Sequence, residues 1–175
     1  MISVIMSVFN NESTLKSSIE SILNQTFKDF EFLIMDDQST DNSYNILKDF
    51  ESKDNRIKVF RNLKNEGLTK SLNILIENSE RDLIARQDGD DISHISRLQK
   101  QIKYLTEENY DFCVSKATII QSRKVIPKFS SFFPEKKIIK IKNPFIHGTL
   151  PVSYTHLRAH ETLMNLVCRL LLEKK

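Results

Sequence analysis

Short apolar segments alternate with amphipathic segments along most of this chain, and this alternation limits the folds that it can adopt. A continuous apolar run at 2–9 is typical of a strand buried on both faces, and further strands are predicted at 30–35, 57–60, 82–86 and 111–120. Apolar residues at helical spacing predict helices at 13–24, 41–50, 68–76 and 96–105, with Ser13 and Asp41 capping the first two. The sequence therefore predicts an α/β fold, in which helices cover both faces of a mainly parallel sheet.

Composition excludes several classes of protein. The chain has 175 residues, of which 39% are hydrophobic, so it can bury a core, and its net charge of +3 is too small to indicate nucleic-acid binding. Cys113 and Cys168 are the two cysteines, which argues against a disulfide framework. No signal peptide is recognisable, and no apolar stretch reaches the ~20 residues that span a bilayer. We expect a soluble, cytoplasmic protein.

A cluster of lysines qualifies this expectation. Lys136, Lys137, Lys140 and Lys142 fall within seven residues. Such a stretch is typical of a solvated face, and it is also compatible with peripheral association with the anionic inner face of a membrane. The sequence leaves both interpretations open.

The composition changes abruptly near residue 150. Isoleucine, the commonest residue before this point, is absent after Ile146, whereas leucine appears six times from Leu157 to Leu172. Back-translation of 152–162 and 166–175 resembles the adapter sequences of sequencing libraries. We therefore predict that residues 1–150 are a C-terminally truncated natural domain and that 151–175 are a non-native tail, in which His156 and His160 are not metal ligands.

Polar residues follow three of the predicted strands. Asn10 and Glu12 follow the first, Asp36 and Asp37 close the second, and an acidic run at 88–91 follows the fourth. Ligands bind beyond the carboxyl ends of the strands in open parallel sheets. We predict that these three segments converge on one site.

The run Asp88-Gly89-Asp90-Asp91 has the oxygen ligands that Mg²⁺ or Mn²⁺ prefers. In an extended turn Asp88 and Asp90 would point to the same side, with Asp91 pointing away, and Gly89 would let a ligand approach the backbone. A metal held by so few carboxylates usually completes its shell with substrate phosphates and water. The alternative is a solvated acidic turn that precedes a helix.

Phe9 and Asp37 are candidates for contact with a nucleotide. An aromatic ring at the end of the first strand could stack on a base, and a carboxylate at the second could accept hydrogen bonds from a base or a ribose. The alternatives are core packing for Phe9 and an Asx-type turn for Asp37.

Together these segments resemble glycosyltransferase family 2, the inverting enzymes of the GT-A fold. The matching segments are 2–12, 21–27, 36–41, 65–68 and 86–91 with Arg97 and Leu98. Their order and spacing carry the resemblance over residues 2 to about 150. It implies a Rossmann-like three-layer sandwich that binds a nucleoside-diphosphate sugar.

The resemblance also implies roles for single residues. Phe9 would stack on the base, Asp37 would bind it, Asp88 would contact the ribose, and Asp90 would coordinate Mn²⁺ or Mg²⁺ on the diphosphate. The implied donor-binding set is Val8, Phe9, Glu12, Asp37, Asp88, Gly89 and Asp90. The base would usually be uracil, and the acceptor a glycan or a lipid-linked glycan of polysaccharide biosynthesis.

The resemblance assigns no catalytic base within this chain. In the family a carboxylate in a later segment deprotonates the acceptor hydroxyl, and we expect that group beyond residue 150. Glu161 lies in the adapter-like run and is not a candidate. One alternative is a nucleotide-sugar-binding module without transfer activity. A nucleotidyltransferase is disfavoured, because residues 10–13 contain no glycine for a phosphate-binding loop.

Overall fold

A computed structural model of the chain describes residues 1–107, 117–119, 123–126 and 151–153. The strands are β1 Ile2–Val8, β2 Phe30–Asp36, β3 Ile57–Arg61, β4 Leu83–Arg86, β5 Ala117–Ile119, β6 Lys124–Ile126 and β7 Pro151–Ser153. The helices are α1 Leu15–Leu23, α2 Ser43–Lys53, α3 Leu68–Glu77 and α4 Arg97–Glu107.

The main sheet has the strand order β3-β2-β1-β4-β7. The first four of these strands are parallel, and β7 pairs antiparallel with β4. The register places Val8 beside Asp36 and Asp36 beside Arg61, so three strands reach the same edge together. The predicted mainly parallel sheet is confirmed, and its carboxyl edge is the place to look for a site.

The two faces of the sheet are covered by different helices. Even-numbered residues of β1 and β2 form one core with α1, α2 and α4, in which Val4, Phe32, Leu15, Leu47 and Leu98 are fully buried. The odd-numbered face packs against α3, whose buried side chains include Leu72 and Leu75. Because both faces are buried, the strands are continuous apolar runs. The predicted three layers are confirmed.

The first helix begins one residue later than its predicted cap allows. Thr14, and not Ser13, is the N-cap residue of α1, and it makes no side-chain capping bond. Its hydroxyl instead donates to the Gly89 carbonyl at 3.0 Å. The prediction for Ser13 was wrong, because residues 11–14 form a turn in which the Thr14 N–H donates to the Asn11 carbonyl at 3.0 Å, and the helix begins after it.

Asp41 does contribute to the start of α2, although Asn42 is the N-cap residue. The Asp41 carboxylate accepts hydrogen bonds from the backbone N–H groups of Ser43 at 2.9 Å and Glu12 at 3.1 Å. These bonds lower the pKa of Asp41 despite the opposing effect of burial. The side chain thus links this helix to the loop after β1.

Some predictions fall largely outside the described residues. Of the strand predicted at 111–120, residues 117–119 are described, and they form β5, which pairs antiparallel with β6 in a separate two-stranded sheet. The lysine cluster lies outside the described residues. The foreign origin of residues 151–175 stays a prediction. Within the described part of the chain, no helix is long and apolar enough to cross a membrane.

Candidate nucleotide and metal site

The loops that follow β1, β2 and β4 meet at the carboxyl edge of the sheet. The Asp37 N–H donates to the Val8 carbonyl at 2.8 Å, and the Gln87 N–H donates to the Ile5 carbonyl at 3.0 Å. These bonds extend the parallel ladders past the strand ends. The candidate residues of all three loops are therefore neighbours in space, as the sequence predicted.

Side chains from the loop after β2 and from the start of α2 accept hydrogen bonds from backbone donors in the loop after β1. Three consecutive N–H groups, those of residues 10–12, each donate to a side-chain oxygen over 2.9 to 3.1 Å. Their acceptors are Ser39 Oγ, Ser43 Oγ and an Asp41 carboxylate oxygen, respectively. In a glycine-rich phosphate loop such donors point at the ligand. Here they are already satisfied within the protein.

The loop after β1 reciprocates these contacts. The Asn10 side-chain oxygen accepts from the Thr40 N–H at 2.9 Å, and the Glu12 carboxylate accepts from the Asn42 N–H at 2.9 Å. Asn10 and Gln38 have φ angles of 54° and 64°, a left-handed conformation that is uncommon for residues other than glycine. The bonds of Asn10 to Ser39 and Thr40 hold Asn10 in that conformation.

Asp37 lies within this framework with its carboxylate enclosed. One oxygen accepts from the Asn62 side-chain amide at 2.6 Å and the Glu66 N–H at 2.8 Å, and the other accepts from the Gly67 N–H at 2.8 Å. Its exposed fraction is 2%. Burial alone would raise the pKa of Asp37, but the donors of Glu66, Asn62 and Gly67 outweigh it and lower the pKa. The carboxylate holds the loop before α3.

Gly67 is suited to this contact. It is the N-cap residue of α3, and its φ of 85° lies in the region that favours glycine. That conformation lets consecutive N–H groups reach the carboxylate of Asp37. Any residue with a Cβ would be strained at this position.

The neighbouring Asp36 is also engaged by the protein. Its side chain is fully buried, and one oxygen accepts from the Ser39 N–H at 3.2 Å. The other lies 3.0 Å from Arg61 Nε, in an ion pair that lacks hydrogen-bond alignment. The Arg61 guanidinium carbon is 4.1 Å from the Tyr44 ring centroid. Neither Asp36 nor Asp37 therefore has a carboxylate that is free to bind a ligand.

Val8 and Phe9 differ sharply although they are adjacent. The Val8 side chain is fully buried in the core, which leaves it no surface for contact with a ligand. Phe9 is 47% exposed, so the core-packing alternative for this residue was wrong. Phe9 is therefore accessible to a ligand at the end of β1.

Residues 88–91 form a hydrogen-bonded turn and not an extended segment. The Asp91 N–H donates to the Asp88 carbonyl at 3.2 Å, so the predicted alternation of side chains does not apply. Asp88 accepts a hydrogen bond from Arg86 Nε at 2.8 Å. Asp90 is exposed, and its carboxylate has no hydrogen bond or ion pair with the residues that the structure describes.

Asp91 experiences a different environment within the same turn. Burial raises the pKa of Asp91, and the negative charges of Asp88 and Asp90 raise it further, against the effects of Arg97 and Arg86. The turn therefore concentrates negative charge, which the nearby arginines at 86 and 97 compensate in part. A cation would relieve the remaining repulsion.

Gly89 is the second residue of this turn and packs closely against Asn11, in the loop after β1. A Cβ built on Gly89 would lie 3.2 Å from Asn11 Oδ1 and 3.3 Å from Asn11 Cγ. That oxygen accepts from the Phe9 N–H at 3.2 Å, so Asn11 has little freedom to move. Glycine was expected here to let a ligand approach the backbone. In the structure the Asn11 side chain occupies that space, and its closeness is what favours glycine at position 89.

The acidic turn fits a hard divalent cation held by few protein ligands. No group of three or more His, Cys, Asp or Glu side chains among the described residues could hold a metal alone. One exposed, unpaired carboxylate at Asp90 matches a cation that draws its other ligands from phosphates and water. The residues present therefore fit Mn²⁺ or Mg²⁺ in the presence of a diphosphate.

The sequence did not indicate the role of Asn62. This residue is buried, and its amide donates both to Asp37 and to Ser71 Oγ at 2.9 Å. The sequence feature that could have indicated this role is a polar residue directly after a strand, four positions before the Glu66-Gly67 pair.

A cleft of about 600 Å³, lined by residues 51–56, lies away from this site, beside the amino end of β3.

Comparison with known proteins shows similarity to one protein family. The sequence model of the family described as "Glycosyl transferase family 2" matches residues 3–161. The chain is 33% identical over 129 residues to the Escherichia coli protein named UDP-Glc:alpha-D-GlcNAc-diphosphoundecaprenol beta-1,3-glucosyltransferase WfgD, covering 74% of this chain and 50% of that protein. The chain spans about half the length of the curated relatives it matches.

Two solved structures share the fold. Staphylococcus aureus TarS in complex with UDP-GlcNAc aligns with a TM-score of 0.76 at 24% identity, over 90% of this chain and 46% of that one. The mannosyltransferase PcManGT of Pyrobaculum calidifontis, in complex with GDP-Man and Mn²⁺, aligns with a TM-score of 0.74 at 16% identity, with the same coverage of 90% and 46%. The predicted GT-A architecture is confirmed.

Proposed function

The chain belongs to glycosyltransferase family 2, and we propose that it binds the nucleoside-diphosphate sugar donor of a metal-dependent, inverting sugar transfer. The observation that carries this proposal is the state of Asp90. It is an exposed carboxylate without a partner among the described residues, on a turn packed against the segment that follows β1. Such a group can accept a cation and its diphosphate without breaking any contact of the fold.

We assign the donor a uridine diphosphate group. Phe9 offers an exposed side chain for stacking on the base. UDP-Glc in the name of WfgD and UDP-GlcNAc in the TarS complex support this choice. GDP-Man in PcManGT makes the guanine nucleotide the competitor to test.

Asp90 would hold Mn²⁺ or Mg²⁺, with Asp88 placed toward the ribose. A bound divalent cation neutralises charge on the departing nucleoside diphosphate. Arg86 fixes Asp88 through the bond at 2.8 Å and compensates part of its charge. The Mn²⁺ in the PcManGT complex supports this assignment.

We further propose a glycan or lipid-linked glycan as the acceptor. The diphosphoundecaprenol-linked sugar in the name of WfgD supports a lipid-linked acceptor. A carboxylate that deprotonates the acceptor hydroxyl would come from the portion of the relatives that this chain does not span.

The occupied donors of residues 10–12 argue against the nucleotidyltransferase alternative. A phosphate loop at this position would need those N–H groups free, and each already donates to a side chain of the loop after β2 or of the first residue of α2. The acidic turn after β4 is then the place for the diphosphate.

Calorimetric titration of the full 175-residue chain with UDP and GDP, each with and without Mn²⁺, tests this proposal. We expect Mn²⁺ to tighten UDP binding by about tenfold or more, equivalent to about 1.4 kcal/mol, and UDP to bind more tightly than GDP. Equal UDP affinity with and without Mn²⁺ in a folded sample would contradict the metal site. Tighter binding of GDP would overturn the uridine assignment.

A further inference from the structure

Gln87 lies directly before the acidic turn, and its side chain contacts the backbone at both ends of that turn. Its side-chain amide nitrogen donates to the Asp91 carbonyl at 2.8 Å and to Ser18 Oγ at 3.1 Å, with a longer contact to the Asp88 carbonyl at 3.3 Å. Its amide oxygen accepts from Ser93 Oγ at 2.7 Å. The side chain is 1% exposed.

These partners fix the orientation of the amide. Carbonyl oxygens accept hydrogen bonds and do not donate them, so the NH₂ group of Gln87 must face Asp88 and Asp91. The amide then bridges both ends of the turn that carries Asp90. No apolar side chain of similar length can make this bridge.

Helix α1 supports the same segment with a row of polar side chains. The row begins at the N-cap residue of α1 and ends two residues past the helix, with a spacing of four, three and four residues, and it lies against the backbone of residues 88–98. The row is Thr14, Ser18, Ser21 and Gln25, which contact the backbone of Gly89, Asp88, Ser93 and both His94 and Leu98, respectively.

The two buried glutamines hold different parts of the segment. Gln25 is fully buried, donates to the His94 carbonyl at 2.8 Å and accepts from the Leu98 N–H at 3.0 Å. Its contacts fix the approach to α4. Gln87 contacts the acidic turn itself. Substitution of Gln25 would therefore disturb the segment before α4, whereas substitution of Gln87 would disturb the acidic turn.

We propose that Gln87 is a positioning residue for metal-dependent donor binding, because its amide holds the backbone turn that presents Asp90. This inference rests on the proposed function, since it concerns the same site. With the bridge removed, Asp90 keeps its carboxylate but samples more orientations. This loss of order should weaken binding of the diphosphate when the cation is present and should have little effect on binding without it.

The test compares Gln87→Met with Gln25→Met in the full chain. Both substitutions preserve side-chain length and remove buried hydrogen bonds, so both should lower the thermal unfolding midpoint. We expect Gln87→Met to weaken UDP binding in saturating Mn²⁺ by ~10-fold, a loss typical of residues that orient metal ligands. UDP affinity without metal should change less than twofold, and Gln25→Met should retain the Mn²⁺ effect.

The ratio of UDP affinities with and without Mn²⁺ is the deciding quantity. A merely structural role would lower both affinities together and leave this ratio unchanged. If Gln87→Met does not fold, Ser93→Ala removes the bond to the Gln87 oxygen alone and should reduce the ratio by about threefold.

The outcomes separate this inference from the proposed function. Wild-type chain without any effect of Mn²⁺ on UDP binding would contradict the proposed function itself. Wild-type chain with that effect, and either Gln87→Met or Ser93→Ala with the wild-type ratio, would overturn the positioning role alone. Equal loss of the ratio in Gln25→Met would also overturn it.

Discussion

Asp37 and Asp90 both lie at the carboxyl edge of the same sheet, yet the fold uses them in opposite ways. Asp37 is 2% exposed and accepts three hydrogen bonds from the loop before α3. Asp90 is exposed and has no partner among the described residues. One carboxylate is committed to the architecture, and the other is available to a ligand.

This difference separates two interpretations of an acidic residue after a strand. A carboxylate with several buried donors is stabilised in its charged form by the protein alone. A carboxylate without donors, near other acids, gains most from a cation. The first property should be measurable in folding, and the second in binding.

The largest effect is expected when Asp37 is removed. Asp37→Ala would leave the N–H groups of Glu66 and Gly67 and the Asn62 amide without their acceptor. Leaving a buried donor unsatisfied costs about 1–3 kcal/mol, so we expect a loss of ~3 kcal/mol in the free energy of unfolding. Urea denaturation measures it.

Asp90→Ala is the matched control for that experiment. An exposed side chain without contacts should change the free energy of unfolding by less than about 0.5 kcal/mol. Equal destabilisation by the two substitutions would remove the distinction between the two aspartates.

The second effect concerns pH. Because hydrogen bonds hold the pKa of Asp37 below its ordinary value, its contribution to stability is complete above about pH 4 and is lost as the pH falls further. The stability gap between wild type and Asp37→Asn should therefore narrow under acidic conditions. Denaturation at pH 7 and pH 3 measures this gap, and a constant gap would contradict the assigned cause.

The smallest effect is expected at Phe9. Phe9→Ala should weaken UDP binding by about 1 kcal/mol, within the range of base–aromatic stacking, and should leave the free energy of unfolding nearly unchanged. Tyr104→Ala is the control, because its ring is 48% exposed against 47% for Phe9. Calorimetry that finds equal UDP affinity for both variants would remove Phe9 from the site.

Much of the fold could be predicted because local patterns determine it. The strand patterns anticipated β1 to β4 within one residue at each end, and helical spacing anticipated α1 to α4 within three. The meeting of three strand ends followed from parallel topology. These features depend on periodicity and on a general property of α/β sheets.

The details of the site could not be predicted because they depend on long-range contacts. Asp37 meets Asn62 and Gly67 across 25 and 30 positions, and Gln87 meets Ser18 across 69. Nothing local distinguishes the enclosed Asp37 from the exposed Asp90. The missing side-chain cap of α1 is a further case, since the Thr14 hydroxyl donates to Gly89, 75 positions away.

The most direct test of the account is calorimetric titration of Asp90→Asn with UDP, with and without Mn²⁺. Asp82→Asn is the control, because Asp82 is an exposed carboxylate at the opposite end of β4. We predict that wild type and Asp82→Asn gain about tenfold in UDP affinity from Mn²⁺ and that Asp90→Asn gains nothing. The same gain in Asp90→Asn as in wild type would contradict the central claim that Asp90 is the available carboxylate of the site.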